Sequence, residues 1–240
     1  MNVYKSLPKF KNSPTILRHA QNDEQSSLNI VFEDESVIVI DKPEGLLTMA
    51  TASERSKTAY ALLRQYLHSK KTPEQLFIVH RLDREASGLL VFAKTSQAKE
   101  RLQDQFKEHT AGRRYVAIVE GRVKADDFTI RSYLAENAAY RVYSTKNTKA
   151  GKLAITHVHV LKRGVKSTLL DIRLETGRKH QIRVHLAESG HPIVGDKNYG
   201  GGANPFRRLA LHGAHLEFRH PASGKRMQFD SAPPKTFRAF

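Results

Sequence analysis

Cysteine is absent from this chain of 240 residues. That absence excludes a disulfide framework, cysteine zinc sites, iron–sulfur clusters and a thiol nucleophile together. No apolar run approaches the roughly 18 residues of a membrane span. Residues 1–29 alternate charged and polar side chains and lack the apolar stretch of a signal peptide. A cytoplasmic protein with no membrane partner is expected. Acidic residues are scarce: 24 Asp and Glu stand against 40 Lys and Arg, a net charge of +16. There is no Gly-x-Ser-x-Gly elbow for a serine hydrolase and no repeat at a fixed period. The glycines at 200–202 are not followed by the Gly-Lys-Ser/Thr of a phosphate loop and read as a mobile loop.

What is present describes a basic globular protein. Hydrophobic residues make up 39% and charged residues 27%, which fits a packed domain rather than a disordered chain. The length is enough for a core that needs no covalent staple. The isoelectric point is near 10.0. Such an excess of positive charge attracts polyanions, RNA or DNA first among them. The excess is concentrated late: residues 173–240 carry 12 Lys and Arg but 5 Asp and Glu.

Residues 1–28 read as a basic arm, with Lys5, Lys9, Lys11 and Arg18 among prolines and polar side chains. It is a flexible terminus or a set of phosphate contacts. A folded domain is expected over 29–240. Strands are expected at 30–32, 37–40, 77–79, 89–92, 115–119, 155–161 and 169–174, from short apolar or alternating runs. A last hairpin is expected around 221–224. Helices are expected at 58–69, at 95–109 with Thr95 as cap, and at 181–188, closed by Gly190 and Pro192. Gly177 is expected to allow a tight turn into that last helix. Strands dominate without regular alternation with helices. The expected class is α+β: a mixed, largely antiparallel sheet with packed helices and a central cleft for the ligand.

Three segments can carry chemistry. In His80-Arg81-Leu82-Asp83-Arg84-Glu85-Ala86-Ser87-Gly88, two arginines bracket one carboxylate between apolar strands. Two readings stand on the residues alone. One is a surface turn with a local Asp–Arg ion pair. The other is an ionised carboxylate serving as nucleophile, general base or metal ligand, with an arginine for phosphate pairing or base stacking. The second segment, residues 176–187, places Arg178, Lys179 and Arg183 within about two helical turns. It is a solvated basic face, or it buries Arg183, which then needs a carboxylate partner such as Asp83. The third is Arg114-Tyr115 at a strand start, where the tyrosine packs the core or stacks on a base. The 12 histidines do not form a metal motif. His157 and His159 share a strand face, and His180 and His185 are off the spacing of a HExxH site, so no metal is expected.

Together these segments resemble the RluA-type pseudouridine synthase family. His80-Arg81-Leu82-Asp83 with Ser87-Gly88-Leu89-Leu90 looks like its HRLDxxTSGL signature, with Ala86 where threonine is usual. Lys42-Pro43-x-Gly45-Leu46, Tyr115-Val116-Ala117 with Glu120-Gly121, and the block from Thr176 to His185 resemble further motifs in the right order. Gly190-His191-Pro192-Ile193, Gly195-Asp196-x-x-Tyr199-Gly200, Leu211-His212 and His220-Pro221 continue the likeness. The resemblance implies the pseudouridine synthase fold and isomerisation of uridine to pseudouridine in RNA, without metal or organic cofactor. Asp83 would be the catalytic aspartate, with attack at C1′, attack at C6 and removal of the C2′ proton all open to it. Tyr115 would stack on the uracil or take the C5 proton, and Arg183 would pair with Asp83. Arg81 would enter the space left by the flipped nucleotide. His80, Arg84, Arg178 and Lys179 are further expected RNA contacts.

The residues before Asn29 are too few for the S4 domain that some members carry. RNA selection is therefore expected to rest on the arm, the core surface and loops 147–152 and 200–208. The partner is a stem-loop of ribosomal or transfer RNA, with the enzyme expected to act as a monomer without an obligate protein partner. The rival readings are a non-catalytic RNA-binding module on the same fold and a metal-dependent hydrolase using the histidines.

Overall fold

The computed structural model describes residues 28–52, 54–70, 75–202 and 204–239. The basic arm therefore lies outside the described residues, Leu28 excepted. The chain runs β1 (Asn29–Glu33), β2 (Val37–Lys42), α1 (Ala59–Ser69), β3 (Phe77–Ile78), β4 (Ser87–Ala93), α2 (Ser96–Lys107) and β5 (Gly112–Glu120). It continues with β6 (Asp127–Glu136), β7 (Val142–Thr145), β8 (Lys152–Arg163), β9 (Ser167–Leu174), α3 (Gln181–Glu188), β10 (Leu211–Arg219) and β11 (Arg226–Asp230). A single 3₁₀ turn follows at Lys235–Ala239.

All of these strands join one sheet in the order β1-β2-β4-β10-β5-β9-β8-β6-β7, with β11 on β10 and β3 on β4. Every pairing is antiparallel except β4 with β10. The expected α+β class and largely antiparallel sheet are observed. The expected strands and helices all form, within a few residues of the boundaries read from the sequence. The sequence reading missed β6 and β7. Phe128 and Ile130 do alternate with Thr129 and Arg131 there, but every second position faces water, so no apolar run marks the strand.

The central strands read as unbroken apolar runs because both sheet faces are covered. In β2, Ile38 and Ile40 enter one core while Val37 and Val39 enter the other. Strand β4 divides likewise, Leu90 and Phe92 against Leu89, Val91 and Ala93. Leu63 and Leu67 of α1 pack on the first face, and Ala98 and Leu102 of α2 on the second. Both helices start on a threonine cap: Thr58 Oγ1 accepts from Ala61 N at 3.0 Å, and Thr95 Oγ1 from Ala98 N at 3.1 Å. Each cap is worth about 1 kcal/mol.

Helix α3 is built differently. Gln181, Ile182, Arg183, Val184, His185 and Leu186 are all buried, so it is not a solvated basic face. Its N-cap residue, His180, makes no side-chain cap and sits in the left-handed region at φ 52°. Gln181 anchors the helix start instead. Its Oε1 accepts from Thr176 Oγ1 at 2.8 Å and from Arg178 N at 2.9 Å, and its Nε2 donates to Ile155 O at 3.0 Å. The left-handed residue at the entry to α3 is His180, and Gly177 lies outside that region.

Of the glycines at 200–202, Gly200 and Gly202 have open space beside them and Gly201 does not. Gly201 N donates to Asp196 O at 2.9 Å, and a side chain at Gly201 would meet Ile193 O at 2.3 Å.

Candidate active site

Asp83 lies in the loop between β3 and β4, and two separate segments, residues 42–48 and 208–212, hold that loop. Lys42, fully buried at the end of β2, donates to Ala86 O at 2.7 Å, Leu46 O at 2.8 Å and Pro43 O at 2.9 Å. Thr48 Oγ1 donates to Leu82 O at 2.9 Å and accepts from Leu82 N at 3.2 Å. Gly45 N donates to Arg84 O at 2.8 Å, and Arg84 Nε returns a bond to Gly45 O at 3.2 Å. Ser87 Oγ meets His212 Nδ1 at 2.9 Å and accepts from Arg208 Nη2 at 2.7 Å. The loop is a rigid mount, which a catalytic carboxylate requires. Burial pushes the Lys42 ammonium down from 10.5 to about 8, partly offset by Asp83 and Glu85.

The structure brings Asp83 and Arg183 together from positions 100 residues apart, Nη1 to Oδ2 at 3.4 Å. Glu85 Oε2 lies at the same 3.4 Å from Nη1. The strongest partner of Arg183 is one the sequence reading quoted but gave no role. Asp196 accepts from Nε and Nη2, both at 2.8 Å, and is itself fully buried. A buried arginine demands a carboxylate of this kind. Asp196, 13 residues further on, was legible as a candidate by that rule. Asp196 and its partners also hold the guanidinium well above the usual arginine range, against the opposing effect of burial.

His180 is the other side chain at Asp83, with Nε2 3.9 Å from Oδ1. Its Nδ1 lies 2.8 Å from Tyr199 Oη. That hydroxyl also accepts from Val142 N at 3.3 Å. Burial lowers the His180 pKa, with Asp83 opposing.

Tyr115, on β5 and 7% exposed, faces the same space. Burial pushes its phenol pKa up, Arg113 counters, and Asp83 adds to the rise. Arg81 is exposed on the rim. These residues line a cavity of about 410 Å³ together with Asp83, His180 and Arg183. That is the size of a small-ligand site.

The remaining expected contacts divide. Lys179 is on the cavity wall, paired with Glu136 and donating to Tyr140 O at 3.2 Å. Arg178 is exposed on the same wall, its Nε bonded to Leu153 O at 2.9 Å. Arg84 points outward to brace Gly45 and does not line the cavity. His80 lines the cavity but faces inward. Its Nε2 accepts from Val91 N at 3.2 Å and its ring stacks on Phe106 at 4.6 Å. Burial lowers its pKa to about 3, so it forms a neutral wall of the cavity. His157 and His159 each meet a carboxylate, Glu175 at 3.0 Å and Asp127 at 2.8 Å.

Comparisons with known proteins bear on the family. A family model described as RNA pseudouridylate synthase matches residues 36–188. Ribosomal large subunit pseudouridine synthase D of Zymomonas mobilis is 36% identical over 96% of this chain and 77% of its own. The protein of the same name from Pseudomonas aeruginosa is 38% identical, over 88% of this chain and 69% of its own. Among solved structures, human RNA pseudouridylate synthase domain containing 4 superposes with a TM-score of 0.72 at 24% identity. That match covers 88% of this chain and 90% of the human one, which shows a shared fold. The chain belongs to the RluA-type RNA pseudouridylate synthase family and is an isomerase acting on RNA. The resemblance read from the ordered motifs is borne out.

Proposed function

We propose that the enzyme isomerises a uridine of large-subunit ribosomal RNA, with Asp83 as the catalytic group and the target nucleotide flipped into the cavity. The observation that carries this reading is the convergence of Asp83, Tyr115, Arg81 and Arg183 on one cavity of about 410 Å³. The ribosomal target is taken from the names of the relatives.

The reaction balances within the substrate. The N1–C1′ bond breaks, the uracil turns, a C5–C1′ bond forms, the C5 proton leaves and N1 gains a proton. No electrons are exchanged, so the balance calls for no redox cofactor. A stacked base hides these atoms, so the nucleotide must leave the helix at a cost of a few kcal/mol. Arg81, exposed at the rim, offers a guanidinium plane to the neighbours left behind. Asp83 acts on the nucleotide from a fixed loop while Arg183 stabilises its charge.

Tyr115, like any tyrosine, is a neutral phenol at pH 7, and burial raises its pKa further. That suits stacking on the uracil better than removing the C5 proton. Two observations support action as a monomer without membrane association. Among the described residues the large exposed hydrophobics are Met49, Val165 and the neighbouring pair Tyr140 and Tyr143. Within the same residues no helix is long and apolar enough to cross a membrane.

The test is a pseudouridine map of total RNA from cells with and without the protein, repeated with Asp83→Asn. The expected result is loss of one or more ribosomal pseudouridines in both deficient strains, with RNA binding by Asp83→Asn retained. Wild-type isomerisation by Asp83→Asn would remove Asp83 from the chemistry. Loss confined to transfer RNA would replace the ribosomal target.

A further inference from the structure

Among the described residues four Lys and Arg side chains are buried: Lys42, Lys94, Arg113 and Arg183. Three of them are satisfied. Lys42 donates to backbone carbonyls, Lys94 pairs with Glu33 at 3.0 Å, and Arg183 pairs with Asp196 at 2.8 Å. Arg113 differs. It is 8% exposed, its Nε is enclosed without an acceptor, and no described carboxylate, carbonyl or hydroxyl pairs with its guanidinium. Its neighbour Arg114 faces the other way and pairs with Asp171. An enclosed cation without an anion is costly, and folding retains one where a ligand completes it.

The surroundings are shaped for an anion. Arg113 opens β5, two residues before Tyr115, and lines the cavity that Asp83 lines. The guanidinium lies over the Phe106 ring at 5.1 Å, which supports one face of the plane. A Cβ at Gly177 would lie 2.4 Å from Arg113 Nη1. The glycine therefore clears room for the guanidinium. The cavity wall holds one carboxylate, Asp83, against Arg81, Lys107, Arg113, Arg178, Lys179 and Arg183. His80, on the same wall, is neutral, kept so by burial first and by Arg113 second.

We propose that Arg113 is the receptor for a phosphodiester of the bound RNA, adjoining the uridine that enters the cavity. The proposal rests on the reading that RNA occupies this cavity. An arginine fork matches two phosphate oxygens, and the low-dielectric wall makes that pair stronger than an exposed one. Arg113 would thus register the backbone while Asp83 and Tyr115 address the sugar and base.

The test uses the full chain and a fluorescein-labelled decauridylate. Arg113→Met removes the unpaired charge while keeping apolar bulk. Its melting temperature is expected to match or exceed that of the wild type. Its affinity for the oligonucleotide is expected to fall by about tenfold or more. The slope of log affinity against log salt is expected to flatten by about 0.7, the loss of one single-strand phosphate contact. Gly177→Ala, which displaces the guanidinium without removing it, is expected to weaken binding with little loss of stability. A lowered melting temperature with unchanged affinity and slope in Arg113→Met would make Arg113 a structural residue and overturn the proposal. So would wild-type affinity in Gly177→Ala. Both results leave the isomerase reading in place. A wild-type protein that forms no pseudouridine overturns that reading instead, while the binding measurements still decide Arg113.

Discussion

Arg183 gives its two-pronged bond to Asp196, with both distances at 2.8 Å, and only a single 3.4 Å contact to Asp83. The guanidinium is thus oriented from behind by a carboxylate that never reaches the cavity. Asp83 is left in a looser contact, shared with Glu85 at 3.4 Å. A carboxylate held this way keeps a charge partner yet remains free to approach a substrate atom. The division of labour makes Asp196 a positioning residue.

Asp196→Ala should therefore cost about 3–5 kcal/mol, the usual result of stranding one half of a buried ion pair. Urea unfolding measures it. A loss under about 1 kcal/mol would mean that Asp83 and Glu85 suffice to hold Arg183.

Lys42 predicts two pH effects of opposite sign. Its ammonium titrates near 8 in the folded protein and at 10.5 when exposed. Between those values the unfolded chain holds a proton that the folded chain has lost, so this group makes stability rise with pH across that window. The burial penalty is present in full below pH 8 and gone above 10.5. Activity should move the other way. A neutral amine has fewer hydrogens for the carbonyls of Ala86, Leu46 and Pro43, so kcat should fall above about pH 8 as the loop loosens. Lys42→Met should be slow throughout and lack that alkaline limb. An identical pH profile for both proteins would refute the assignment.

Two facing glycines should respond differently to alanine. Gly88 pairs with Gly213 across the one parallel junction of the sheet. It sits at φ 121°, and a Cβ there would meet Gly213 O at 2.3 Å. Gly88→Ala is expected to cost more than about 3 kcal/mol, because backbone must move on both strands. At Gly213 the nearest atom to a new Cβ is Tyr115 Cε1 at 3.5 Å, an ordinary contact. Gly213→Ala should stay within about 1 kcal/mol of wild type. Thermal melts of the two variants decide the matter; equal losses would sink it.

Tyr199→Phe removes the hydroxyl that directs His180, bonded at 2.8 Å. The expected result is a fall of about tenfold in kcat with little change in KM. Single-turnover kinetics on a ribosomal RNA fragment would show it. A change confined to KM would place His180 in binding rather than in the chemical step.

The chain order carries a large part of this outcome. Unbroken apolar runs such as Val37 to Ile40 and caps such as Thr95 act locally, so strands and helices were legible within a few residues. The loop of Asp83, bracketed by arginines between apolar strands, was legible for the same reason. What could not be read depends on contacts between distant segments. Val142 and Tyr133 of the missed hairpin give little local apolar signal, and the hairpin is defined by pairing with β8. His80 reads as an RNA contact, and its neutral, inward-facing place is set by Phe106 and Val91 N. Arg113 and Arg114 are equivalent in one dimension. The pleat of β5 sends them to opposite faces, where one meets Asp171 and the other an unfilled wall of the cavity. Local chemistry decides which elements form. Burial and charge pairing decide what each side chain does, and both belong to the folded arrangement because they depend on neighbours that chain order does not specify.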